Sequence, residues 1–95
     1  MQAGANISSN AIIGNFVKIN TNANVMHDNE VGDFSTIAPN AVLLGRVSVG
    51  KGSYIGSNST LLPNIKTGDR SIIGAGAVVT RHVQSGITVK GVPAR

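Results

Sequence analysis

Residues 25–43 read Val25-Met26-His27-Asp28-Asn29-Glu30-Val31-Gly32-Asp33-Phe34-Ser35-Thr36-Ile37-Ala38-Pro39-Asn40-Ala41-Val42-Leu43. Aliphatic residues stand six apart at Val25, Val31, Ile37 and Leu43, and Asn29, Ser35 and Ala41 follow the first three by four places. A six-residue unit is too short for a helix plus a turn but suits a brief strand and a corner, so the chain must coil. Counting outward, the same phase holds Ile7, Ile13, Ile19, Val25, Val31, Ile37, Leu43, Val49, Ile55, Leu61, Thr67, Ile73 and Val79, with Thr67 the one non-aliphatic. Four places after each, Ala, Ser or Val fills eleven of the thirteen positions, Asn29 and Ile65 being the others. No insertion or deletion interrupts the pattern up to Val83, and it reaches back to Met1 and Ala5.

Three places after each aliphatic come Asn10, Asn22, Asn40, Gly52, Asn58, Asn64 and Gly76, residues that tolerate the positive φ of a tight corner. Phe16, Phe34, Arg46 and Arg70 share that phase, so corners of more than one type are expected. Twenty-one Ile and Val against four Leu, with only Phe16, Phe34 and Tyr54 as aromatics, favour strands with an aliphatic interior and exclude a helical bundle. Ninety-five residues allow one domain, and with no cysteine the chain must draw its stability from a repetitive stack or from partner chains. A net charge of +4, scattered along the chain, makes no nucleic-acid-binding face. No signal segment and no membrane-length apolar run is present, so the cytoplasm is the default setting.

The pattern resembles the hexapeptide repeat, whose family winds three units into each triangular turn of a left-handed parallel β-helix. The resemblance implies an all-β fold of about 18 residues per coil over residues 1–84, followed by a tail at 85–95. Residues one coil apart would lie side by side at roughly 4.7–4.9 Å. Phe16 then sits under Phe34, an exposed apolar pair of the kind that marks a protein contact. Asn22, Asn40 and Asn58 form an outward ladder, and Asp28 lies beside Arg46, a surface ion pair worth little.

His27 and His82, the two histidines, are the natural proton carriers near neutral pH. Both are expected at outward corners, His82 in line with Arg46 and Asn64, too far apart to share a metal ion. No metal site is expected, since there is no cysteine to help. His27 stands in the most acidic stretch, which holds Asp28, Glu30 and Asp33.

The run from Val25 to Ala41 followed by Gly45, then Ile73-Gly74-Ala75-Gly76-Ala77-Val78-Val79 and the ending Gly91-Val92-Pro93-Ala94-Arg95, resembles a family of hexapeptide acyltransferases. It is the one that includes sialic acid O-acetyltransferases and UDP-4-amino-sugar N-acetyltransferases. The resemblance implies acetyl transfer from acetyl-CoA to a hydroxyl or amine of a sugar or similar small acceptor. His27 would be the general base, Asp28 its supporting carboxylate and the Gly45 N–H a donor to the oxyanion. Cofactor contacts fall on Thr36, Ser57, Ala75, Gly76 and Arg95, with Arg81 and Lys90 as further partners for phosphates. Relatives can carry histidine at the place of Thr36 and glutamate at the place of Asp28. The family is trimeric, with His27 from one chain facing cofactor contacts of its neighbour. Full-length relatives add an N-terminal α/β domain; here the repeat starts at once, so the chain is a fragment or its acceptor is held by the coil or by another protein. The alternative from a different class is a non-catalytic trimeric β-helix that keeps the scaffold alone.

Overall fold

A computed structural model describes residues 3–95; Met1, where the repeat phase was traced back to its start, lies outside them. Fourteen strands of two residues each follow one another with no helix among the described residues. Every third strand pairs in parallel, which sorts them into three sheets. Sheet A holds Asn6–Ile7, Asn24–Val25, Val42–Leu43, Thr60–Leu61 and Val78–Val79. Sheet B holds Ile12–Ile13, Glu30–Val31, Ser48–Val49 and Lys66–Thr67, and sheet C holds Lys18–Ile19, Thr36–Ile37, Tyr54–Ile55, Ile72–Ile73 and Thr88–Val89. The chain is a three-walled β-helix measuring 29 × 20 × 19 Å.

The six-residue period produces this shape directly. In each strand the second residue points inward and is buried from Ile19 onward, and the first points out. Register between successive coils within a wall is eighteen residues, as in Asn24↔Val42 and Val25↔Leu43. The interior is a column of Val, Ile and Leu with Ala, Ser and Val at the bends, without an aromatic ring. Buried hydroxyls are tied in: Ser35 Oγ donates to Gly50 O at 2.7 Å and accepts from Ser53 N–H at 3.1 Å, and Ser53 repeats the motif toward Gly68 O and Ser71. Glycines open the corners between sheets B and C, where a Cβ on Gly32 would meet Gly50 C and Lys51 N of the next coil at 2.8 Å each.

The corners are of one type, contrary to the expectation from their side chains. Twelve successive corner residues from Asn10 to Gly76 have φ between 53° and 71°, Phe16, Asp28, Phe34, Arg46 and Arg70 among them. A left-handed backbone costs a non-glycine residue about 1–2 kcal/mol, yet the register imposes it on every side chain that falls in that phase. Phe16 and Phe34 stack as predicted, ring centroids 5.4 Å apart and planes 9° from parallel, while remaining 79% and 65% exposed.

The phase ends earlier than the sequence pattern indicated. Thr67 bridges Val83, and Ile72 and Ile73 pair with Thr88 and Val89, all sixteen residues apart. The corner after Val79 is thus two residues short. Val83 becomes an inward strand residue instead of a small corner residue, and His82 lands beside Lys66, not in line with Arg46 and Asn64. Its Nδ1 accepts the Lys66 N–H at 2.9 Å, standing in for a backbone carbonyl in the ladder. The coil runs on through Thr88–Val89, and the last residues fold back over its end: Lys90 and Arg95 exchange two backbone hydrogen bonds, and Ala94 N–H donates to Val78 O at 2.9 Å.

Thr67 is the exception in the inward column, and its Oγ1 is buried with no hydrogen-bond partner. An unsatisfied buried hydroxyl carries a desolvation penalty that an isosteric methyl group does not. Thr67→Val is therefore expected to raise stability by about 1 kcal/mol, a rise in the melting midpoint of roughly 4–8 °C for a domain of this size. Thermal unfolding followed by circular dichroism reads it, and an unchanged or lower midpoint contradicts this account.

Candidate functional site

His27 and Asp28 occupy the corner that leads from sheet A to sheet B, between Val25 and Glu30. Asp28 carries the left-handed backbone, φ 59°, common to the corner residues in its phase. Its Oδ2 lies 3.1 Å from His27 Nδ1, with the two side chains 49% and 42% exposed. The expected pairing of Asp28 with Arg46 is not the one formed: among the described residues Asp28 takes ion-pair geometry with His27. A carboxylate acts only as acceptor, so Nδ1 of a neutral imidazole is the protonated nitrogen and Nε2 holds the free lone pair.

The ring rests on Gly45, one coil further on. A Cβ at Gly45 would stand 2.5 Å from His27 Cε1 and 2.6 Å from Nε2. Gly45 is itself buried and is absent from the positive-φ residues, so glycine serves here to make room for the imidazole and not to turn the chain. The two corners are joined by Arg46 N–H donating to His27 O at 3.1 Å, and among the described residues the Gly45 N–H has no backbone acceptor.

Ser57, Ala75 and Gly76 lie together on a different edge, the corners that lead from sheet C to sheet A. Gly76 N–H donates to Ser57 O at 2.8 Å. The backbones touch so closely that a Cβ on Gly56 would be 2.7 Å from Ala75 N, leaving a smooth wall without side-chain bulk. Thr36 faces outward from sheet C, half-buried between Lys18 and Tyr54. Arg95 lies at the end of the coil, where it lines a hollow of about 300 Å³ with Arg81, His82, Val83, Val89 and Ala94. Within one chain, then, the His27 group and the Ser57–Gly76 group stand on separate edges with the whole of sheet A between them. The outward residues of that sheet are Asn6, Asn24, Val42, Thr60 and Val78, small and flat.

One buried polar side chain next to the His27 corner was given no role by the sequence reading. Asn29, fully buried, donates from Nδ2 to Leu43 O at 3.1 Å and accepts the Val47 N–H on Oδ1 at 2.6 Å. Its signal was on the page as an amide in a column otherwise filled mostly by Ala, Ser and Val. Among the described residues no three His, Asp or Glu side chains converge as a metal ion would require, and no helix is long and apolar enough to cross a membrane.

Residues 46–81 match the family model described as bacterial transferase hexapeptide (six repeats). Among solved structures the chain is similar to a His-to-Ala mutant of GDP-perosamine N-acetyltransferase from Caulobacter crescentus, in complex with CoA and GDP-perosamine. The identity is 35% over 98% of this chain and 44% of that one, with a TM-score of 0.97. It is similar to the acetyltransferase domain of PglB from Neisseria gonorrhoeae in complex with acetyl coenzyme A, at 29% identity over 97% of this chain and 54% of that one, TM-score 0.84. It is also similar to the serine acetyltransferase CysE of Neisseria gonorrhoeae, at 31% identity over 97% of this chain and 40% of that one, TM-score 0.90. No curated protein sequence matches it.

The Gly45 geometry makes a prediction independent of any activity. In Gly45→Ala the added methyl displaces the His27 ring, while the backbone, already in an ordinary region, keeps its course. The His27 ring resonances in a proton–carbon NMR spectrum are expected to shift, with circular dichroism and the other ring signal, His82, unchanged; an unmoved His27 signal contradicts the contact. The chain is a hexapeptide-repeat β-helix, similar over nearly its whole length to about half of each of these acetyltransferases.

Proposed function

We propose that this chain is the catalytic coil of an acetyl-CoA-dependent acetyltransferase that acylates a hydroxyl or amine of a sugar or similar small acceptor. The observation that carries this reading is the His27–Asp28 pair seated over Gly45, on a coil that superposes on a CoA-bound sugar N-acetyltransferase with a TM-score of 0.97.

In this reading Asp28 holds the Nδ1 proton and so turns Nε2 toward the acceptor. Nε2 takes the proton from the acceptor hydroxyl or amine as that atom bonds the carbonyl carbon of the thioester. The carbon–sulfur bond then breaks, and the imidazolium returns its proton to the departing thiolate sulfur. A positioned base contributes about 10²–10⁴-fold to such a step. The Gly45 N–H, free of a backbone acceptor, serves the oxyanion that forms on the carbonyl oxygen. No acyl-enzyme is needed, which suits a chain without cysteine.

The cofactor-binding half is assigned to the edge that carries Ser57, Ala75 and Gly76, with Thr36 beside it and Arg95 near its end. The smooth wall there admits an extended pantetheine arm, and Arg81, Lys90 and Arg95 supply charge for phosphates. Because the two halves sit on separate edges of one prism, the site is completed between chains. A homotrimer of parallel coils brings the His27 edge of each chain to the cofactor edge of the next, with sheet A turned inward. We place its work in the cytoplasm.

The test measures acetyl-CoA binding by calorimetry and CoA release against a panel of amino- and hydroxy-sugars. His27→Ala is expected to lower turnover by about 10²–10⁴-fold while the affinity for acetyl-CoA stays the same. Turnover retained in this variant removes the base from His27. Absence of acetyl-CoA binding at millimolar concentration makes the chain a scaffold instead of an enzyme.

A further inference from the structure

We propose that Asn29 is the residue that positions the candidate base, by stapling the corner that carries His27 to the corner that carries Gly45. The inference rests on the reading of His27 given above.

Several corners of the coil close on themselves. Ala23 N–H donates to Asn20 O, Ala41 to Ala38, Ser59 to Gly56, Ile65 to Leu62 and Ala77 to Gly74, each a bond across the four residues of one turn. The equivalent donor above His27 is Val47, whose local acceptor would be Leu44 O. It turns away from that oxygen and donates to Asn29 Oδ1 in the coil below at 2.6 Å. The other end of the same amide donates to Leu43 O, which also accepts the Met26 N–H at 3.0 Å. One buried side chain therefore grips the entrance and the exit of the corner Leu44-Gly45-Arg46, while its own backbone follows directly on His27 and Asp28. The imidazole lies between the two clamped corners, against Gly45.

The staple is specific to this edge. The serine ladder at the corners between sheets B and C uses the same phase, but there each Oγ reaches a glycine carbonyl and the next serine N–H. Ser35 holds both ends of its corner with one oxygen, whereas the Asn29 amide uses separate donor and acceptor atoms and reaches one residue further back, to the strand residue Leu43. Full burial, with both amide atoms hydrogen-bonded, holds Asn29 in place, so the His27 and Gly45 corners are tied by hydrogen bonds as well as by packing. A misplacement near 1 Å at a catalytic group can cost on the order of 10²-fold in rate.

Asn29→Ala and Asn29→Ser provide the test, and both suit the coil, because Ala and Ser already occupy this phase at Ala23, Ser35, Ala41, Ser53 and Ser59. Alanine removes both bonds; serine restores an acceptor for the Val47 N–H, as Ser35 does for Ser53. The expected result for Asn29→Ala is a kcat at least tenfold lower, with the calorimetric affinity for acetyl-CoA within about twofold of the parent, and Asn29→Ser recovers a large part of the loss. Amide hydrogen exchange at Val47 speeds up in Asn29→Ala, and the His27 ring resonance moves while that of His82 does not. Equal kcat in parent and Asn29→Ala, no recovery in Asn29→Ser, or an unmoved His27 resonance overturns the proposal. Should the parent show no turnover, the acetyltransferase reading falls, and the Val47 exchange rate with the His27 resonance still decides whether Asn29 places the ring.

Discussion

Every feature of this molecule depends on the backbone hydrogen bond between successive coils, donated by the first residue of a strand to the carbonyl seventeen positions ahead, as in Asn24 N–H to Ala41 O at 2.8 Å. For that bond to recur, three strand–corner units must use up the same number of residues in each coil, and each corner must turn by the same amount. The left-handed residue in every corner is the means. Once one coil has set the pitch, a residue in that phase takes a positive φ whatever its side chain prefers, because the alternative is to break the ladders above and below it. Phe16, Phe34, Arg46 and Arg70 are held in this way, and the two phenylalanines stack outward in solvent because their backbones leave them no inward direction.

The constraint also explains what could be read in advance. The inward column, the wall-to-wall register, the Phe16–Phe34 contact and the outward direction of His27 all follow from arithmetic on a period of six, and arithmetic needs no knowledge of side-chain conformation. The break after Val79 could not be read the same way, since valine at 83 suits a small corner position and an inward strand position equally well. Only the hydrogen bonds to Lys66 and Gly68 reveal which it occupies. The corner type was misjudged for a related reason: propensity is a local preference of fractions of a kcal/mol to about 2 kcal/mol, and it lost to a ladder that spans the chain.

At the candidate site the legible part was residue identity and edge, and the illegible part was pairing. Register places Asp28 next to Arg46, and a surface ion pair between them would have been unremarkable. The Asp28 carboxylate instead turns along its own corner to His27. Gly45 was read as an N–H donor, whereas its nearest consequence is steric, a floor without a Cβ under the imidazole. Asn29 was visible as an exception in its column, but that its amide replaces the closing bond of the next corner is a fact of three-dimensional hydrogen bonding alone.

A prism with candidate site residues on two of its edges raises the question of how those edges meet. They cannot do so by flexing, because each corner along both edges is bonded to the coils on either side, and the interior between them is a filled column of aliphatic side chains. Nor can the chain be redrawn with both groups on one edge: His27 and Ser57 are 57 − 27 = 30 residues apart, one coil of eighteen and two further units of six, and bringing them to one edge needs a coil with a different number of units, which breaks the ladder between coils. On the proposed reading the second edge must therefore come from another copy, and the flat outer face of sheet A, made of Asn24, Val42, Thr60 and Val78, is the surface that lies between the two edges and has the least relief. On that reading a rigid prism turns assembly into part of the active site: the coil fixes where His27 points, and the angle between neighbouring coils would fix what it points at.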